Sequence, residues 1–179
     1  MDRLKVRSTH VCFDGMVSFY SHASSQTKTE MNFSIFFPEK KISSHVPGLI
    51  YLAGLTCTDE TFITKAGALK YASEHGLALI CPDTSPRHAG IRGEDKDWDF
   101  GTGAGFYLDA EKAPWAQNYK MYSYITKELI DIIDNNFDIN IIASYTDENT
   151  KKVIEEATLK ANLKIIHWIN LSEEEEQHS

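Results

Sequence analysis

GLIYLAGLTCT, Gly48 to Thr58, is the stretch on which the fold turns. Leu49-Ile50-Tyr51-Leu52-Ala53 is a continuous apolar run set between Pro47-Gly48 and Gly54, the pattern of a short parallel strand covered on both faces. Thr58-Asp59-Glu60-Thr61 follows, and Thr58 is placed to cap a helix running toward Glu74. Strand, tight turn and helix is the unit that presents backbone N–H groups to a ligand at the carboxyl edge of a sheet. Gly54 would give the backbone a conformation that a Cβ forbids, leaving the Leu55 N–H to face open space as a donor to a developing oxyanion. An ordinary strand-to-helix turn is the other reading, and these residues alone leave both open.

Upstream, Leu4 to Phe13 and Met16 to Tyr20 flank Asp14-Gly15, a short-range hairpin signal. Glu30 to Phe37 alternates through Met31, Phe33, Ile35 and Phe37, as a half-buried third strand would. Downstream, a helix is expected through Phe62, Ala66, Leu69, Tyr71 and Ala72, with Gly76 as its stop and Leu77 to Cys81 as a second buried strand. Antiparallel strands followed by alternating strands and helices indicate an α/β fold with a mixed sheet.

Pro82 to Trp115 has little periodicity, and a loop of that length inside a domain usually has a function. Trp98, Phe100, Phe106, Tyr107 and Trp115 could wall a binding pocket, or pack as a lid without a ligand. Gly101-Thr102-Gly103-Ala104-Gly105 is not read as a phosphate loop, since no strand leads into it and no helix opens behind it. Glu94, Asp95, Asp97 and Asp99 lack His or Cys companions and read as solvated acids rather than a metal site. Tyr119 to Asn135 is a helix with Tyr122, Ile125, Leu129, Ile132 and Ile133 on one face. After it come a strand Ile139 to Ser144, a Thr146-Asp147 cap, a helix Glu148 to Ala161 and a strand Lys164 to Ile169.

The 179 residues suffice for one domain with a real core, and no apolar run has membrane-spanning length. A formal charge of -8 disfavours nucleic acid as a partner. MDRLKVRSTH has no apolar core of a secretory leader. Cys12, Cys57 and Cys81 suggest neither a zinc site nor a disulfide framework, so the expected setting is reducing and cytoplasmic.

Four longer segments carry a resemblance: LAGLTCTDETF at 52–62, SEHGLALICPDTSPR at 73–87, RGEDKDWDFGTGAGFYLDA at 92–110 and PWAQNYKMYSYITKEL at 114–129. In this order they resemble the S-formylglutathione hydrolase family, also called esterase D, of the α/β-hydrolase fold, over about residues 32–137. The resemblance implies a cytosolic serine hydrolase of formaldehyde detoxification, cleaving S-formylglutathione to glutathione and formate and also acting on simple carboxylesters. It implies no cofactor and no metal, a thioester or small ester as partner, and leaves a homodimer open. By it Leu55 supplies an oxyanion-hole N–H, Gly54 and Cys57 lie beside the site, and Trp98, Phe100 and Gly101 with the rest of DFGTGAGF line the substrate pocket.

The family's nucleophile sits in a G-x-S-x-G elbow after the Tyr119–Asn135 helix, and no G-x-S occurs in this sequence. Ser144 in IASYT is the nearest candidate, but its neighbours Ile142 and Thr146 are β-branched, unsuited to the crowded elbow. His167, inside the last expected strand, and His178, in the tail, cannot be carried over as the base. The expected organisation is therefore 1–137 as the N-terminal part of an α/β-hydrolase with the C-terminal half of that fold missing, 138–171 as a divergent αβ segment, and 172–179 as an acidic disordered tail. Such a chain is expected to be inactive alone. The alternatives are a binding protein that keeps the pocket, a mis-terminated product, and a cysteine hydrolase using Cys57, for which none of His10, His22, His45, His75 or His88 has a selecting spacing.

Overall fold

A computed structural model describes residues 4–39 and 45–142. Six strands form one mixed sheet in the order β1-β2-β3-β5-β4-β6: β1 (Lys5–Val11), β2 (Gly15–Ala23), β3 (Glu30–Pro38), β4 (Val46–Ile50), β5 (Ala78–Pro82) and β6 (Ile139–Ile142). The first three strands and β5 pair antiparallel, while β4 lies parallel between β5 and β6. Helices α1 (Thr61–Lys65) and α2 (Ala68–Glu74) cover one face, meeting Val17, Phe19, Phe36, Leu79 and Cys81 through Ile63, Leu69 and Ala72. The other face packs Met31, Phe33, Ile35 and Ile80 against α3 (Met121–Ser123), a π-helical segment Tyr124–Leu129 and α4 (Ile130–Asn136), which run on from one another. This is the α/β arrangement expected from the sequence, a sheet between two helical layers.

Several boundaries differ from the sequence reading. The organising strand is Val46–Ile50, not Leu49–Ala53, because its partners fix it there: Val46 faces Ile139, and Gly48, Leu49 and Ile50 face Ala78, Leu79 and Ile80. Pro47-Gly48 lies inside the strand, where a Cβ on Gly48 would sit 2.2 Å from Ile139 Cγ2. The hairpin turn is Phe13-Asp14, at φ 48° and 51°, closed by paired bonds between Cys12 and Gly15. Two left-handed residues match the twist of a two-residue hairpin. Gly15 instead opens β2, where a Cβ would meet the Phe36 ring at 2.6 Å.

β3 is buried on both faces, Phe33 on one and Phe36 on the other, since it sits in the middle of the sheet. The single helix expected toward Glu74 is broken at Gly67, φ 66°, into α1 and α2. Thr58 does not cap it: α1 starts from Glu60 without a side-chain bond, and the Thr58 hydroxyl accepts the Glu60 N–H at 3.2 Å and lies 3.4 Å from Thr61 Oγ1. Gly76 ends α2 as expected, at φ 62°, with the Gly76 and Leu77 N–H groups returning to Ser73 O and Ala72 O. The later helix begins at Met121 rather than Tyr119, because Lys120 pairs with Asp109 in a β-bridge. The expected cap, helix and strand after Ile142 lie outside the described residues, as do Ser144, His167, His178 and the acidic tail.

Candidate active site

Because β4 and β5 are parallel neighbours, the segments leaving them emerge side by side at their carboxyl ends, where open α/β sheets hold ligands. After Tyr51 N–H bonds Ile80 O at 2.9 Å, the chain leaves the sheet and turns through Gly54-Leu55-Thr56-Cys57. Cys57 N–H donates to Gly54 O at 3.2 Å, and Thr56 takes φ 67°, the left-handed third position of a type II turn. Thr56 N–H bonds Gly103 O at 2.9 Å, which draws the glycine loop onto the turn. Among the described residues Leu55 N–H has no acceptor. A peptide plane is rigid, so with Gly54 O turned inward to Cys57 the Leu55 N–H points the opposite way, out of the turn. It is free to meet negative charge on an incoming carbonyl oxygen.

Gly54 does not act as the sequence suggested. Its φ is not in the left-handed region, and a Cβ there would meet nothing within 4 Å. The unusual conformation has moved to Thr56, and the glycine needed for close approach is Gly103, at φ 81° with its Cβ position 3.2 Å from Thr56 Cα.

Apart from Tyr107, read as a possible pocket wall, sequence reasoning does not single out the residues that grip this turn. Tyr107 OH bonds Ala53 O at 2.6 Å, and burial raises that phenol's pKa. Thr84 Oγ1 donates to Cys57 O at 2.6 Å, joined by Arg87 Nη2 at 3.2 Å. Arg87 is held by Asp83 through two bonds of 2.8 Å, and Ser85 Oγ accepts Gly103 N–H at 2.7 Å. Asp83, Thr84 and Ser85 are all buried. The available signal was Asp83-Thr84-Ser85 directly after a buried parallel strand, a place where polar side chains are held for a reason.

The glycine loop separates two concavities. Phe100, Gly101, Ala104, Gly105, Trp115 and Tyr119 line one of about 380 Å³, with Trp115 edge-on to both Phe100 and Tyr119 at 4.8 Å between centroids. Thr102 and Gly103 line the other, of about 360 Å³, with Thr56, Arg87, Lys96 and Trp98. Phe100 and Gly101 thus wall the aromatic cavity, whereas Trp98, 70% exposed, stands at the one that touches the Gly54–Cys57 turn. Cys57 is half-buried within the turn itself. Glu94 is buried, its carboxylate accepting the Ala89 and Gly90 N–H groups at 3.1 and 2.9 Å, so it staples the loop. Among the described residues no group of three or more His, Cys, Asp or Glu is arranged to hold a metal.

The model of the family described as "Esterase: Putative esterase" matches residues 24–144. The chain is 49% identical over 137 residues to the S-formylglutathione hydrolase of Rattus norvegicus, a match covering 76% of this chain and 49% of that protein. The Arabidopsis thaliana S-formylglutathione hydrolase is 51% identical over 126 residues, 70% of this chain and 44% of the relative. An S-formylglutathione hydrolase from Agrobacterium tumefaciens superposes with a TM-score of 0.76 at 38% identity, covering 87% of this chain and 57% of that structure. The chain spans about half the length of the curated relatives it matches.

Proposed function

Since the chain belongs to the esterase family matched over residues 24–144, we propose that its Gly54–Cys57 turn is the oxyanion-binding part of a thioester hydrolase site. The substrate class is S-formylglutathione, cleaved with water to glutathione and formate in formaldehyde detoxification, and small carboxylesters beside it. Membership and the relatives' names support the substrate class. The outward Leu55 N–H is the single observation that supports the site.

In such a reaction an attacking oxygen adds to the formyl carbon, and charge collects on the carbonyl oxygen. Leu55 N–H stabilises that charge, and collapse expels the thiolate, which takes a proton as it leaves. Gly54 and Cys57 flank the donor, while Trp98, Phe100 and Gly101 shape the two concavities on either side of the glycine loop. These 179 residues contain no G-x-S-x-G, so the chain by itself supplies electrostatic stabilisation and a pocket without the attacking group. Three free cysteines fit a reducing, cytoplasmic setting.

A second reading, a binding protein that keeps the pocket, is favoured by Phe100, Phe106 and Leu108, each more than half exposed. Titration with a fluorophosphonate probe tests the proposal. No stoichiometric labelling is expected. Full labelling at Ser144 would make the chain a serine hydrolase in its own right, and loss of turnover on alkylating Cys57 would make it a cysteine hydrolase.

A further inference from the structure

The direction of the Leu55 N–H is set by Gly54 O, which is set in turn by Cys57 N–H at 3.2 Å. What fixes Cys57 comes from outside the turn. Its carbonyl accepts the Thr84 hydroxyl at 2.6 Å and Arg87 Nη2 at 3.2 Å. The same Thr84 hydroxyl lies 3.4 Å from Gly103 O, the acceptor for Thr56 N–H. One hydroxyl therefore donates to the Cys57 carbonyl and sits beside the Gly103 carbonyl that holds the other half of the turn. Neither clamp residue is loose: Thr84 N–H bonds Asp83 Oδ1 at 2.7 Å, and Asp83 accepts two bonds from Arg87. Asp83 is anchored to β3 through its N–H, which bonds Asn32 O at 3.0 Å.

We infer that Thr84 and Arg87 are positioning residues for the oxyanion donor, acting on Leu55 N–H through Cys57. The inference rests on the oxyanion reading of Leu55. Without the clamp, only the turn's own 3.2 Å bond and the Thr56 N–H bond to Gly103 O hold a left-handed threonine in place. Residues at such a conformation persist only where their surroundings enforce it. A donor that swings by tens of degrees loses most of its effect on a developing charge, since hydrogen bonds weaken steeply with angle.

Amide hydrogen exchange read by NMR on the whole chain tests this, with Thr84→Val, Thr84→Ser, Arg87→Gln and Arg87→Lys. Thr84→Val and Arg87→Gln are expected to speed exchange at Thr56 and Cys57 by roughly fivefold to tenfold, the loss of about one net hydrogen bond. Ile35 and Ile80 amides in the sheet should keep their protection. The Leu55 amide resonance should shift in Thr84→Val and return in Thr84→Ser, which restores the hydroxyl. Arg87→Lys, charged but unable to bond both Asp83 and Cys57, should fall between wild type and Arg87→Gln. Unchanged exchange at Thr56 and Cys57 in both disruptive variants would overturn the inference. Equal acceleration at Ile35 and Ile80 would also overturn it, because the two residues would then serve the fold as a whole. Exchange needs no turnover, so a chain inactive toward thioesters for other reasons leaves this result intact.

Discussion

Arg7 on the edge strand β1 forms a charge-assisted hydrogen bond with Asp59, buried two residues past the Gly54–Cys57 turn. The pairing of β1 with β2 passes from Val6 opposite Tyr20 to Ser8 opposite Phe19, leaving Arg7 as the extra residue of a bulge. A bulge re-aims the side chain it frees, and here it points a guanidinium at a buried carboxylate. Ser34 Oγ holds the Asp59 backbone carbonyl at 2.6 Å, so the acid is fixed from two strands.

Burial pushes the Asp59 carboxyl up from 3.8 to about 6, against the opposing pull of Arg7. The folded state thus holds this proton more tightly than the unfolded one, so Asp59 lowers stability as pH rises from about 4 to about 6. The full effect is worth about 3 kcal/mol above that window. Urea unfolding of Asp59→Asn at pH 4 and pH 7 should show the variant gaining relative to wild type by that order across the interval. A difference independent of pH would contradict the assignment. Arg7→Ala should move the wild-type inflection to higher pH.

Glu128 has the opposite sign. Burial alone would raise its pKa, but bonds from Ser24 Oγ at 2.5 Å, Ser25 N–H at 2.6 Å and Gln26 N–H at 3.1 Å lower it overall. Its contribution is present above pH 4.5 and lost as pH falls through the folded value. Glu128→Ala leaves the Ser24 hydroxyl and the Ser25 N–H without their acceptor, while Gln26 N–H keeps Ser24 Oγ at 3.2 Å, and should cost about 2–3 kcal/mol at pH 7. The deficit, measured by urea midpoint, should shrink at pH 3.

The cysteines should separate cleanly. Cys81 is buried and its thiol is pushed up to about 12, while Cys12 and Cys57 are half-buried. Iodoacetamide at pH 8 should modify Cys12 and Cys57 in the folded chain and reach Cys81 only in denaturant, as peptide mass spectrometry can read. Early modification of Cys81 would mean that α1 and α2 do not seal that face.

Two glycines should respond differently to alanine. At Gly101, φ 88°, a Cβ would lie 2.2 Å from the Glu94 carbonyl oxygen, so Gly101→Ala should cost about 2–4 kcal/mol from backbone strain and overpacking. At Gly54 the Cβ position is open, and Gly54→Ala should change stability by less than about 0.5 kcal/mol. Calorimetric midpoints of the two variants compare them directly.

The central sheet was legible because burial writes itself into apolar runs: Glu30 to Phe37 and Leu77 to Cys81 became β3 and β5 nearly as read. The organising strand was displaced because Pro47 and Gly48 are ordinary breakers, and only a close neighbour, Ile139, makes glycine a requirement there. Leu55 is singled out in the sequence by its place after a strand. Thr84 and Arg87 are not, since their bonds to a carbonyl 27 and 30 residues away leave no periodic trace. The aromatic segment reads in the sequence as either one pocket wall or a packed lid, and the glycine loop divides it, placing Trp98 on the side opposite Phe100.

The most direct test is the initial rate of S-formylglutathione hydrolysis by the purified 179-residue chain, beside the full-length Agrobacterium tumefaciens enzyme under the same conditions. An oxyanion donor without its attacking group should leave the chain slower by a factor of about 10³ or more. A rate within tenfold of the full-length enzyme would contradict that division of labour.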